Sequence, residues 1–213
     1  GDFLFSRAFA LMVEDQSLKV LDILSRASAV IAEGEVLQLM TSNDISTTED
    51  SYMQVIGSKT AVLFEAAAQI GAVIADRPSS EEVALQNFGH DLGIAFQLID
   101  DALDYVAKQE ALGKTVGDDF REGKITLPVI IAIAAGTPDE RKFWQRCFEA
   151  QDQREGDLAT AQKLIERYDG IGLTLERAAQ FGAAAQQNLL SFADCPARQA
   201  LLESVAFTVE RGY

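Results

Sequence analysis

Apolar residues recur at helical spacing along almost all of this 213-residue chain, and the alternation of a half-buried strand is hard to find. Residues 17–40, 52–75 and 79–108 each read as one long helix, with shorter helices expected at 126–135, 138–150, 157–168, 171–191 and 197–210. Ser79-x-x-Glu82 and Thr137-x-x-Glu140 both fit capping boxes, the second with Pro138 at the first helical position. The one clear non-helical stretch, residues 108–124, is rich in glycine and charge. Four prolines and no Ser/Gly tract leave no candidate linker, and there is no internal repeat, so the chain reads as a single all-α domain over residues 1–213. Its 48% hydrophobic content is enough to fill a core.

The formal net charge of -15 sets the surface against nucleic acid and anionic lipid, since phosphate backbones are bound by clustered Lys and Arg. An anionic substrate would therefore need a local cationic site or a metal. Cys147 and Cys195 form no CxxC pair, which fits a reducing compartment without a disulfide framework. His90, the single histidine, excludes a His-rich zinc site, and a Ser-His-Asp triad would have to pass through it; it reads as a satisfied helix residue. No apolar run is long enough for stable membrane insertion, because Glu65 interrupts the longest, and no signal peptide is visible. The composition fits a cytoplasmic protein. The chain opens at Gly1 directly into helix-like sequence, so an N-terminal part is expected to precede it.

One short stretch concentrates acid. In "FQLIDDALDYV", residues 96–106, Asp100, Asp101 and Asp104 stand together inside an apolar helix. With Asp100 at zero on a helical wheel, Asp104 falls at about 40°, Gln97 at about 60° and Asp101 at about 100°. The opposite arc is continuously apolar. A solvated polar face is the plain alternative, because like charges this close repel on a helix. Two features favour a site instead: the helix is otherwise strongly apolar, and the next segment brings Lys114, Asp118, Asp119, Arg121 and Lys124 within reach. Carboxylates beside lysines suit a diphosphate with Mg²⁺, which takes hard oxygen ligands and usually shares them with substrate phosphates. The "GKT" at 113–115 is no P-loop: GxxxxGK[ST] would need glycine where Lys108 stands, and no strand precedes it.

"FQLIDDALDY" followed by "GKTVGDDFREGKITLP" closely resembles the second aspartate-rich motif and following loop of the trans-isoprenyl diphosphate synthases. "GDFLFSRAF", "EGEVLQL" and "SKTAVLFEAAAQIGA" resemble further signatures of that family in the expected order, and their wording is most similar to long-chain polyprenyl (octaprenyl/decaprenyl-type) diphosphate synthases. Specific motifs cover residues 1 to about 135; beyond that only the helical pattern agrees.

The resemblance implies a helical bundle around a central cavity, a homodimer, and head-to-tail condensation of isopentenyl diphosphate with an allylic diphosphate, giving an all-trans polyprenyl diphosphate for quinone side chains. It implies Asp100, Asp101 and Asp104 as Mg²⁺ ligands, Lys59, Lys114 and Lys124 on the allylic diphosphate, and Thr60 and Gln97 beside the forming cation. The first DDxxD and paired arginines of the family are not found here, and "EDQS" at 14–17 is no substitute, so the chain as written is expected to lack transferase activity. Two other readings compete. A class I terpene cyclase would replace the second DDxxD by an Asn/Ser/Glu metal motif, and a non-catalytic regulatory subunit would have no need of Lys59, Gln97, Lys114 and Lys124 together.

Lys59, mid-helix in apolar sequence beside Thr60, reads as facing an anion inside the bundle, with a snorkelling lysine as the alternative. Gly123 would let backbone approach a phosphate beside Lys124. Asp118 and Asp119 fit a turn role as well as one orienting a lysine or a metal-bound water. Glu33, Glu35 and Gln38 read as structural polar contacts, and Phe64, Phe88 and Phe96 as core or cavity wall.

Overall fold

The computed structural model describes residues 1–106 and 116–211. Its regular elements are α1 (Asp2–Glu14), α2 (Leu18–Thr41), α3 (Glu49–Ile56), a π-helical turn (Gly57–Ala61), α4 (Val62–Ile74), α5 (Ser79–Val106), α6 (Asp118–Arg121), α7 (Leu127–Ala135), α8 (Pro138–Trp144), a second π-helical turn (Gln145–Glu149), α9 (Asp157–Arg167), α10 (Gly170–Asn188) and α11 (Pro196–Glu210). No strand occurs among the described residues.

Helix α5 is the axis of the bundle, and its main partners are α4 on one side and α10 on the other. Two glycines set how closely α4 can approach. A Cβ on Gly89 would lie 2.4 Å from the Phe64 carbonyl oxygen, and one on Gly93 would lie 2.6 Å from Ala61 Cα. Both are well inside van der Waals contact, so only glycine admits this seam. The apolar face of α5 fills two clusters along its length. Leu98, Ile99 and Ala102 pack with Tyr52, Ile56, Leu127 and Ala178, and Phe88 and Leu92 pack with Ala185, Leu189 and Val205.

A third cluster lies beyond the end of α5, where Trp144 stacks on Phe148 and Phe120 meets Phe148 edge-on. One buried carboxylate ties it down. Asp157 accepts both terminal nitrogens of Arg146 at 2.8 and 2.7 Å and the Arg154 backbone N–H at 2.7 Å. That network holds its carboxyl down at about 2, the Arg146 hydrogen bonds contributing most.

The structure differs from the sequence reading in four places. The helix expected over 52–75 is continuous in direction but changes winding at Gly57–Ala61, and the one expected over 138–150 does the same at Gln145–Glu149. The Thr137 capping box forms as expected. At Ser79 the box gives way: Ser79 is already helical, the Glu81 and Glu82 amides donate to the Pro78 carbonyl, and the Glu82 carboxylate takes Lys19 and Gln69 instead. Within the expected loop, Asp118–Arg121 forms one helical turn. Of α1 only Met12 is buried, while Phe3, Leu4 and Phe5 are exposed. No helix among the described residues is long and apolar enough to cross a membrane.

Candidate active site

The π-helical turn is the first device that builds the site. A π turn widens the helix by one residue and redirects the side chains it carries. Here it carries Lys59 and Thr60. It packs against α2 where Gly34 removes the obstruction, since a Cβ there would meet Ser58 Cβ at 2.9 Å and the Lys59 amide nitrogen at 3.0 Å. This approach brings Glu35 and Gln38 onto Lys59: the ammonium lies 3.1 Å from Glu35 Oε1 and donates to Gln38 Oε1 at 3.1 Å. Both residues were expected only as structural contacts, and they hold a predicted site lysine.

The second device is the segment 116–126, folded back over the acidic end of α5. Asp104 anchors it. Its carbonyl accepts the Gly117 amide at 2.8 Å, and its carboxylate accepts the Asp118 and Asp119 amides at 3.2 and 3.1 Å, capping α6. Gly117 permits the turn with φ of 81°. Gly123, at φ of 74°, presses its backbone against the turn that follows α2: its carbonyl accepts the Asn43 amide at 2.8 Å, and a Cβ would fall 2.0 Å from Asn43 Oδ1. Lys124 is thereby delivered to the site, where it donates to Asp119 Oδ1 at 2.9 Å and pairs with Glu122 at 2.8 Å.

Between these devices lies a cavity of about 200 Å³. Lys59, Thr60, Gln97, Asp100, Asp101 and Lys124 all line it. The structure thus gathers most of the residues singled out in the sequence at one place. Lys114 lies outside the described residues. Asp104 does not reach the cavity wall; its oxygens belong to the α6 amides. Asp119 lines the cavity and holds Lys124, whereas Asp118 turns to Arg121 at 2.7 Å.

The three aspartates of α5 therefore differ in their surroundings. Asp101 is buried, and both its oxygens are engaged: Tyr52 donates its hydroxyl to Oδ2 at 2.6 Å, and Gln97 donates Nε2 to Oδ1 at 2.7 Å. Thr60 donates to Gln97 Oε1 at 2.9 Å, completing a chain from the π turn to the acid. Burial, then repulsion from Asp119, push the Asp101 carboxyl up to about 7 against these hydrogen bonds. Burial and Asp119 likewise push Asp104 up to about 6, opposed by the two amides. Burial alone would lower the Lys124 ammonium, but hydrogen bonds to Glu122 and Asp119 outweigh it and raise it. Among the described residues no three His, Cys, Asp or Glu side chains stand together as a ready-made metal cage.

Sequence reasoning missed Tyr52, Thr41, Ser42 and Thr126, which share the cavity wall. Tyr52 had a signal: it precedes Lys59 and Thr60 by two helical turns, on the same face. His90, expected as an ordinary helix residue, lies outside this cavity and faces Glu65 at 3.4 Å. Phe88 is in the core, and Phe64 and Phe96 meet ring to ring.

Known proteins resemble this chain in sequence and fold. Over 214 residues the chain is 45% identical to the octaprenyl diphosphate synthase of Escherichia coli, covering 99% of this chain and 65% of that protein. A solved polyprenyl synthase from Caulobacter crescentus, complexed with calcium and isoprenyl diphosphate, superposes with a TM-score of 0.96 at 48% identity, covering 100% of this chain and 65% of the other. A decaprenyl diphosphate synthase from Rhodobacter capsulatus gives 0.93 at 45%, with the same coverage. The chain thus spans 65% of the length of each of these relatives. The Polyprenyl synthetase family profile matches residues 1–165, a span that contains the π turn, the acidic end of α5 and the folded-back segment, and the chain belongs to that family.

Proposed function

We propose that this chain carries the allylic-diphosphate side of a long-chain trans-polyprenyl diphosphate synthase. The observation that carries the reading is one cavity lined by two ammonium groups, Lys59 and Lys124, facing Asp100 and Asp101 beside the Thr60–Gln97 pair. In a chain of net charge -15, that cavity is where an anion finds local cations.

Lys59, Lys124 and, by resemblance, Lys114 bind the diphosphate oxygens. As the allylic C–O bond breaks, negative charge gathers on the leaving pyrophosphate, and the preplaced ammonium groups stabilise it. The Thr60 and Gln97 oxygens stand beside the cation that forms on the prenyl carbon. The double bond of isopentenyl diphosphate attacks that carbon, and a proton leaves to the released pyrophosphate. In the structure each lysine is held by carboxylates, Lys59 by Glu35 and Lys124 by Asp119 and Glu122, and substrate phosphate oxygens would replace those contacts.

The donor set fits Mg²⁺. It is all hard oxygen, with no histidine or cysteine, and its acids are raised first by burial and then by repulsion from neighbouring carboxylates, which a cation would relieve. Asp100 and Asp101 offer carboxylates at the cavity; each Asp104 oxygen accepts one amide and keeps a lone pair free for a cation. Bound Mg²⁺ would supply Lewis-acid stabilisation of the leaving pyrophosphate. The calcium and isoprenyl diphosphate of the Caulobacter crescentus structure support a divalent cation with a diphosphate ligand here. The exposed apolar side chains of α1 support a homodimer, and the lack of a membrane-crossing helix among the described residues accords with a cytoplasmic enzyme.

The test is thermal melting with Mg²⁺ and inorganic pyrophosphate, separately and together. A ligand that binds only the native state raises Tm by mass action. The reading expects the pair to raise Tm more than either alone, and Lys59→Ala to abolish the synergy. No synergy in the wild type would refute it.

A further inference from the structure

Thr126 breaks a local rule. It is the N-cap of α7, a position where a threonine hydroxyl ordinarily accepts an amide of the first turn. Here the Val129 and Ile130 amides both donate to the Thr126 carbonyl at 3.0 Å, and the side chain caps nothing. Thr126 is 5% exposed, forms part of the cavity wall two residues from Lys124, and its hydroxyl has no partner. Tyr105, 3% exposed on α5, is orphaned in the same way. The two hydroxyls lie close enough to interact, but no hydrogen bond of good geometry closes between them, and neither has another partner. Two buried hydroxyls without a well-formed hydrogen bond are costly, and at the wall of a cavity a bound ligand is one group that can satisfy them.

Resting on the diphosphate reading of the cavity, we propose that Thr126 and Tyr105 form a further ligand subsite. The Thr126 hydroxyl donates to a phosphate oxygen held by Lys124, and the Tyr105 hydroxyl donates to Thr126 Oγ1 behind it. A hydroxyl relay of this kind strengthens the outward donor, because each bond polarises the next. It complements the carboxylate side of the cavity: Asp100 and Asp101 suit a cation, whereas Lys124 and Thr126 suit the anion that accompanies it.

The test is calorimetric binding of inorganic pyrophosphate in Mg²⁺ to the full chain, with melting temperatures measured in parallel. Thr126→Val replaces an orphaned hydroxyl by a methyl of the same shape, so the ligand-free protein should melt at or above the wild-type temperature while pyrophosphate binds about tenfold more weakly. Thr126→Ser restores the donor and should bind within about twofold of wild type. Tyr105→Phe should weaken binding about threefold in the wild-type background and not at all in Thr126→Val, since it acts through that hydroxyl. Unchanged binding by Thr126→Val overturns the subsite while leaving the cavity reading intact. A parallel loss of stability and binding, unrescued by serine, assigns Thr126 to the scaffold and also overturns it. A wild type that does not bind pyrophosphate overturns the cavity reading and the subsite together.

Discussion

Replacing Gly93 by alanine tests whether the α4–α5 seam sets the geometry of the site. The added methyl would lie 2.6 Å from Ala61 Cα, 3.1 Å from Ala61 Cβ and 3.2 Å from Phe64 Cβ. Carbon atoms rest at about 3.5–4.0 Å, so the two helices must part by about 1 Å or bend locally. Overpacking of this kind costs about 1–3 kcal/mol. Alanine returns up to about 1 kcal/mol through its higher helix propensity. The net expectation is a loss of about 1–2 kcal/mol in a urea titration followed by circular dichroism.

The functional consequence comes from position. Ala61 adjoins Thr60, and Gln97 lies one turn beyond Gly93, so the 2.9 Å Thr60–Gln97 bond crosses the seam being wedged open. Parting by about 1 Å takes that pair past the hydrogen-bonding limit of about 3.5 Å and unlinks the π turn from Asp101. Affinity for pyrophosphate with Mg²⁺ should fall along with stability. Gly71→Ala is the internal control. It lies on the neighbouring α4, where a Cβ meets nothing within 4 Å, so it should gain stability from propensity alone. If Gly93→Ala proves as stable as Gly71→Ala and binds pyrophosphate like the wild type, the seam does not fix the site and the reasoning fails.

Two further substitutions address single contacts. Tyr52→Phe removes the donor to a buried carboxylate and should cost about 1.5–3 kcal/mol in urea denaturation, with Asp101 left without its Oδ2 partner. A loss below about 0.5 kcal/mol would mean that water replaces the hydroxyl. Asp157→Asn should cost about 2 kcal/mol at neutral pH, from a carboxyl held at about 2 against an ordinary value near 4. Because the folded value is depressed, this stability is present above about pH 4 and is lost as pH falls toward 2. The gap between wild type and Asp157→Asn should therefore close over that window, and a gap independent of pH would show that shape rather than charge is at stake.

The bundle could be read from the sequence because its helices carry their instruction locally: the apolar stripe of α5 is visible in its own residues, and so is the Thr137 box. The gathering of Lys59, Thr60, Gln97, Asp100 and Asp101 was legible through the resemblance and the helical wheel. What stayed hidden depends on contacts between distant segments. The π turn is not written in Gly57–Ala61 alone; it fits against α2 only because Gly34 lacks a Cβ. The Ser79 box failed because the Pro78 carbonyl and Lys19 on another helix compete for the same groups.

The aspartates show where a helical wheel stops informing. It places Asp100, Asp101 and Asp104 on one polar face, which implies one shared role. It is silent on what packs over that face. Tyr52 arrives 49 residues upstream of Asp101 and the α6 amides 14 and 15 residues downstream of Asp104, and each engages a different carboxylate. The repulsion among clustered acids is thus answered by different means: donors from the π-turn side for Asp101, and backbone amides for Asp104. An acid already satisfied by a rigid donor holds its neighbours in place better than it binds a mobile ion. On that argument the α5 motif is as much the framework of the cavity as its ligand, and it joins the π turn that carries Lys59 to the segment that carries Lys124.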